Sequence, residues 1–275
     1  MAATDLDGTL LRSDHTFSQR TLTALGRAKQ AAVRHVLVTG RPAAGCAPFF
    51  DQLGYSGPAV CGQGAQIYDA SAGRLLSSAS LSTDLARSVV ERISAEVGPL
   101  ALAVALSGLN GQFVVTPEFG ASREMRPYTL VPRRRIWDEP IDKVFLRHAT
   151  LTDGDLAAVA ARSAGDAVSV THSGPDMVEI LPLGIRKSVG LARVAQHYAV
   201  RSEDVIAFGD MPNDIPILNW AGYGVAMANC HPELKAVADE VAPSHDEDGV
   251  AAVLERFLAL APSARPRDGG LRHAR

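Results

Sequence analysis

Strand–helix alternation at both ends of the chain, broken by a middle stretch of different character, most limits what these 275 residues can fold into. At the front, the short apolar run at 2–5 leads into a glycine-containing loop. Ser18 then suits the N-cap of a helix carrying Leu22, Leu25, Ala28 and Ala32 at helical spacing. Val36-Leu37-Val38 reads as a buried strand ending at Thr39-Gly40-Arg41, and Pro42 suits the first turn of the next helix. This βαβ order requires a parallel sheet with helices on its faces. Ala59-Val60-Cys61 reads as a further strand, and Gln66-Ile67-Tyr68 with Leu75-Leu76 as a small hairpin.

Near Ser82 the pattern changes. A helix over 82–97 buries Leu85, Val89, Ile93 and Val97, and strands follow at 101–106, 112–116, 143–147, 168–172 and 177–181, with a helix near 153–164. After Gly184 the alternation returns: helix 187–198, the apolar strand Val205-Ile206-Ala207-Phe208, a short helix at 214–220, strand 224–227 and an amphipathic helix over 249–260. The predicted fold is therefore α/β, a Rossmann-like parallel-sheet core of residues 1–81 and 186–261 with an α+β domain of residues 82–185 inserted in it. The tail 262–275 holds four arginines, two prolines and two glycines but a single large apolar residue, Leu271, and is predicted to be disordered.

Composition narrows the function classes. With 47% apolar and 21% charged residues the chain is ordinarily globular, and a net charge of −3 provides no global attraction to nucleic acid or to membrane. No stretch approaches the roughly 18 consecutive apolar residues of a membrane span. The start Met1-Ala2-Ala3-Thr4-Asp5 lacks the basic, then apolar, pattern of a signal peptide. Cys46, Cys61 and Cys230 are too few and too scattered for a zinc cluster or a disulfide framework, so a reducing cytoplasm is expected.

Chemistry-bearing residues collect where strands end, which is where open α/β sheets bind ligands. Asp5-Leu6-Asp7-Gly8-Thr9-Leu10 follows the first strand. Two carboxylates at i, i+2 face the same way while strand geometry lasts, and Gly8 lets the chain turn and bring backbone N–H groups to an anion. Carboxylates this close repel unless a cation lies between them, which points to Mg²⁺. Gly209-Asp210-Met211-Pro212-Asn213-Asp214 adds hard oxygen donors at a second strand end. Thr39-Gly40-Arg41 adds a hydroxyl, a glycine and a cation at a third. Lys187 opens a helix where the chain re-enters the core, and it is one of four lysines (Lys29, Lys143, Lys187, Lys235) among 27 cationic residues. A compact ammonium suits a phosphoryl oxygen where a guanidinium fork would be bulkier. Each segment alone also has a bland reading, as a turn, a helix cap or a helix-start lysine.

Taken in this order, the four segments resemble the haloacid dehalogenase-like hydrolase superfamily, in particular its Cof-type, magnesium-dependent phosphatases with a large inserted cap. The resemblance runs to about Leu260. It implies that Asp5 is the nucleophile that forms an aspartyl-phosphate, and that Asp7 is the acid and then the base. It implies Mg²⁺ held by the Asp5 carboxylate, the Asp7 backbone carbonyl and Asp210, and phosphoryl oxygens held by Thr39 and Lys187 with the Gly8 and Gly40 backbone, Arg41 and Asn213. Asn213 and Asp214 would orient the metal's waters and Lys187. Only 33 residues separate Asp5 from Thr39, whereas 147 separate Thr39 from Lys187, so the insertion falls at the position of a class II cap. Gln63 stands in Gly62-Gln63-Gly64-Ala65 where many relatives carry asparagine.

The leading expectation is a phosphatase acting on a small phosphorylated metabolite, a sugar phosphate or a phosphorylated cofactor. The alternatives are a phosphosugar mutase of the same superfamily and a non-catalytic metal- or ligand-binding relative. Arg133-Arg134-Arg135 reads as a solvated loop, and His15, His148, His172 and His231 as structural or exposed.

Overall fold

The computed structural model describes residues 1–109, 111–120, 125, 127–174 and 177–260; the predicted disorder of the tail 262–275 concerns residues outside these. In chain order the strands and helices are β1 Ala2–Thr4, α1 Gln19–Gln30, β2 His35–Leu37, α2 Ala43–Leu53, β3 Pro58–Cys61, β4 Gln66–Asp69 and β5 Arg74–Ser78. Next come α3 Thr83–Val97, β6 Ala101–Leu106, β7 Phe113–Val115, β8 Tyr128–Leu130, β9 Ile141–Arg147, α4 Asp153–Ala164, β10 Val168–His172 and β11 Val178–Pro182. The chain ends through α5 Lys187–His197, β12 Ile206–Gly209, α6 Ile215–Trp220, β13 Tyr223–Met227, α7 Pro232–Lys235, β14 Glu240–Ala242 and α8 Gly249–Leu260.

Both ends of the chain build one parallel sheet in the order β14-β13-β12-β1-β2. A Val38–Val60 bridge joins β3 to it, and β3, β4 and β5 form an antiparallel flap. Side chains alternate across these short strands. Ala2, Leu37, Cys61, Phe208 and Val225 pack on one face against α1, α2 and α8, while Ala3, Val36, Val60, Ala207 and Ala226 pack on the other against α5 and α6. That two-sided burial explains why the strands read as continuous apolar runs rather than alternating ones. β1 lies inside the sheet, with β2 on one side and β12 on the other, so the strand order runs outward from it in both directions. The crevice at its carboxyl end is a topological switch point.

The inserted segment forms its own six-stranded sheet, β10-β11-β9-β6-β7-β8, antiparallel except for the β7–β8 pair. Helices α3 and α4 cover one face through Val89, Ile93, Leu156 and Ala160. The other face carries Ala103, Ala105, Phe113, Val115 and Phe145 and looks toward the core sheet's carboxyl edge. Ser82 and Thr152 cap α3 and α4 through their hydroxyls, and Ser18 caps α1 as its sequence position predicts. Two strands were not legible: β8, which is largely exposed, and β14, three residues at the sheet edge. Arg133–Arg135 form an exposed turn, as expected of a solvated loop.

Candidate active site

Strand geometry ends at Thr4, one residue earlier than the run at 2–5 suggests, so Asp5 is the first residue beyond β1. Its backbone N–H donates to Phe208 O at 3.1 Å, which ties the loop to β12. The two aspartates of this loop then part. Asp5 points inward, its Oδ1 2.8 Å from Lys187 Nζ, with the carboxylate almost wholly buried. Asp7 turns to the mouth of the cleft and takes a two-pronged ion pair from Arg41, Nε to Oδ2 at 2.7 Å and a terminal nitrogen to Oδ1 at 2.6 Å. The expectation that both carboxylates face one way fails because the extended backbone that would impose it has already ended.

Lys187 opens α5 and is fully buried, a position a lysine holds only when its charge is met. Its ammonium also lies 2.7 Å from Asp214 Oδ1. Burial alone would lower the Lys187 pKa, but Asp214 and Asp5 outweigh it and hold the group protonated well above the usual lysine range. The second Asp214 oxygen accepts from the backbone N–H groups of Asp210 and Met211, both at 3.1 Å, so this residue fixes the lysine and the turn after β12 together. Asp210 is buried and accepts from the Thr9 hydroxyl at 2.8 Å. Carboxylate oxygens of Asp5, Asp210 and Asp214 lie within 4.8 Å of one another.

Three carboxylates against one ammonium leave this pocket short of positive charge. Burial pushes the Asp5 carboxyl well above the ordinary range, Lys187 works against it, and Asp214 and Asp210 add to it. Burial and then Asp214 push Asp210 up to about 7, with the Thr9 hydrogen bond opposing. Nearby Asn213 leaves its buried Oδ1 without a hydrogen-bond partner while its amide nitrogen donates to Gln63 Oε1 at 3.1 Å. Buried oxygen donors of like charge, with an unsatisfied acceptor beside them, fit a hard divalent cation carrying water.

Close approach at the floor depends on two glycines. Gly8 has φ +71°, and a Cβ there would lie 2.2 Å from Asp210 Oδ2. A Cβ on Gly40 would meet the Gln63 amide nitrogen at 2.7 Å. Thr39 is buried at the end of the β2 segment, its Oγ1 accepting from Arg41 N at 3.1 Å. Asp5, Asp7, Thr39, Gly40, Arg41, Lys187 and Asn213 all line one cleft of about 490 Å³ between the core edge and the inserted sheet. Asp210 and Asp214 do not line it but adjoin Asp5 and Lys187, which do, and Gly8 lies outside its lining. Another hollow of about 520 Å³ lies beside α1 and the start of β2, away from every motif.

Four residues at the site were given no role by the motifs. Thr9 orients Asp210. Gln63, held in a left-handed backbone conformation at φ 62°, bridges Asn213 of the core to Glu179 of β11, its Nε2 donating to Oε1 at 2.9 Å. Glu179 in turn meets Lys143 of β9 at 2.6 Å, both almost fully buried, and Lys143 Nζ donates to Gly40 O at 2.9 Å. A signal existed for Glu179, a charged residue inside the otherwise apolar β11, and less for Lys143, which shares β9 with Asp142 and Arg147.

The sequence profile of the haloacid dehalogenase-like hydrolases matches residues 2–254. The chain belongs to that family. It is 30% identical over 269 residues to a 5-amino-6-(5-phospho-D-ribitylamino)uracil phosphatase of Bacillus subtilis, covering 94% of this chain and 98% of that one. It is likewise 30% identical over 267 residues to an HMP-PP phosphatase of Serratia proteamaculans, covering 94% and 95%. The solved structure of SMU.1108c from Streptococcus mutans superposes with a TM-score of 0.82 at 23% identity, over 94% of this chain and 98% of that one, which shows the shared fold. Membership places this haloacid dehalogenase-like hydrolase among the phosphoric monoester hydrolases, with the Cof-type arrangement of core and inserted cap. Among the described residues no helix is long and apolar enough to cross a membrane.

Proposed function

We propose that this hydrolase removes the phosphoryl group from a small phosphorylated metabolite, a sugar phosphate or a phosphorylated cofactor, with Mg²⁺ and through an aspartyl-phosphate on Asp5. The observation that carries the reading is the buried Asp5 carboxylate at the cleft floor, held by Lys187 and set against Asp210 and Asp214. Phosphatase names among the relatives support it. The insert at 82–185 serves as the cap over the cleft.

Asp5 and Asp210 carboxylates with the Asp7 backbone carbonyl would hold Mg²⁺, which when bound offsets repulsion between the anionic nucleophile and the anionic ester. An Asp5 oxygen attacks phosphorus and the bond from phosphorus to the ester oxygen breaks. Asp7 gives its proton to the leaving oxygen, then takes one from the water that attacks the aspartyl-phosphate, and release of phosphate restores the Asp5 carboxylate. Lys187 and the Thr39 hydroxyl hold phosphoryl oxygens, with backbone donors near Gly8 and Gly40. Arg41 holds Asp7 at the cleft mouth, and a phosphoryl group entering there competes for the same guanidinium and frees Asp7 for proton transfer. Asp214 orients Lys187, and Asn213, whose Oδ1 has no partner, would be able to hold a water carried by the metal.

Phosphate release from p-nitrophenyl phosphate with Mg²⁺ tests the reading. Asp5→Asn lowers the rate by about a thousandfold or more if Asp5 is the nucleophile. A variant that keeps its activity overturns that assignment.

A further inference from the structure

The cleft has two faces of opposite chemistry. Its floor is the carboxylate–lysine cluster. Across from it, the cap lines the cleft with Phe113 of β7, Phe145 of β9 and Met177, which precedes β11, and the core adds Phe49 from α2. The Phe113 and Phe145 rings lie 5.9 Å apart and tilted by 60°, and the Arg41 guanidinium sits 5.0 Å from the Phe49 ring centroid, beside the Asp7 ion pair.

The charged pair on this wall is turned into itself. Lys143 is engaged by Glu179 and by Gly40 O, and its ammonium lies 4.5 Å from the Phe145 ring centroid. The other Glu179 oxygen already accepts from Gln63 Nε2 and from the Ser173 hydroxyl. A polyhydroxylated leaving group needs a new partner for each hydroxyl it strips of water. Among the described residues of this wall, the buried polar groups are occupied by one another and by Gln63 and Gly40 of the core, and the remaining polar side chain, Gln112, is exposed to water. A flat ring needs only apolar faces and ring edges, which the three phenylalanines supply.

We propose that the physiological leaving group carries a planar aromatic or heteroaromatic ring, seated against Phe113, Phe145 and Phe49. This inference rests on the phosphatase reading above and narrows its substrate class. The phosphoryl end meets the charged floor, and the ring meets the apolar wall. Specificity against sugars follows from the buried hydroxyls that the wall leaves unpaired.

Phosphate release is compared among monoesters of primary alcohols, so that the leaving oxygen is chemically alike throughout. Benzyl phosphate and pyridoxine 5′-phosphate are set against ribose 5-phosphate and glucose 6-phosphate, with acetyl phosphate reporting the catalytic floor by itself. The ring esters are expected to show kcat/KM about tenfold or more above the sugar esters. Phe113→Leu, and Phe49→Leu from the core side should the first variant fold poorly, are expected to narrow that ratio by about threefold or more. Turnover of acetyl phosphate with sugar esters equal to or better than ring esters overturns the ring proposal and leaves the phosphatase reading standing. A ratio untouched by either phenylalanine variant also overturns it. Release from none of the esters, acetyl phosphate included, overturns the phosphatase reading and this inference with it.

Discussion

Floor and wall of the cleft are assembled in opposite ways. The floor draws on short contiguous strings after β1 and β12, with Lys187 at the start of α5, and its residues are held by ion pairs and backbone N–H groups at 2.7–3.1 Å. Its charges are left unbalanced, and that imbalance is what a cation and a phosphate would use. The wall draws on Phe49, Phe113, Phe145 and Met177, spread over four elements or loops, and its Lys143–Glu179 pair is balanced within itself. The floor thus keeps the uncompensated charge that marks candidate functional sites, whereas the wall neutralises its own.

The sharpest way to break this contrast is to remove one floor carboxylate. Asp210→Asn is expected to lower Mg²⁺-dependent phosphate release about a hundredfold or more. It should also abolish the rise in Tm that Mg²⁺ gives the wild type. A variant that keeps both would take Asp210 out of the metal site and remove the reason for the floor's excess negative charge.

The wall pair should respond as a structural unit. Lys143→Met leaves Glu179 buried without its cation, and is expected to cost about 3–5 kcal/mol of stability, read as a lowered denaturant midpoint. Replacing both residues by apolar ones of similar volume should recover most of that loss. Equal damage from the single and double variants would mean that the wall is not self-neutralised.

A smaller effect separates floor from wall by pH. Because the Asp210 carboxyl is raised to about 7 in the fold from an unfolded value of 3.8, the folded chain binds this proton more tightly than the unfolded chain. The share of stability without metal that this carboxyl contributes therefore falls as pH rises from about 4 to 7, by at most about 1.4 kcal/mol per pH unit. Asp210→Asn is expected to flatten that slope in urea titrations across the window, and saturating Mg²⁺ to flatten it likewise. Replacing Lys143 and Glu179 together by apolar residues should leave it in place, since neither is among the groups that shift Asp210.

The same contrast decides what could be read from the sequence. Asp5, Asp7, Asp210, Asp214, Thr39 and Lys187 were legible because each stands in a short string whose glycines and strand end announce a ligand edge. The Asp7–Arg41 pair was not, since 34 positions separate its partners and only the β1–β2 pairing brings them together. The wall was illegible for a different reason. Phe113 and Phe145 lie in apolar strands where a phenylalanine facing a cleft and one facing a core look alike. Glu179 broke that pattern, and its isolation in the apolar β11 is the signal that would have located the cap–core contact, whereas Lys143 shares β9 with Asp142 and Arg147. Parallel-sheet elements were read closely because burial on both faces makes their strands continuously apolar. β8 and β14, at sheet edges and partly exposed, lack that mark.

If the hydrolase acts as proposed, the floor's Asp5 carries the phosphoryl group during turnover. Mass spectrometry of enzyme quenched in acid while hydrolysing p-nitrophenyl phosphate with Mg²⁺ tests it directly. A phosphoryl adduct is expected on the peptide containing Asp5, absent from Asp5→Asn. Steady phosphate release with no adduct on that peptide, undiminished in Asp5→Asn, would contradict it.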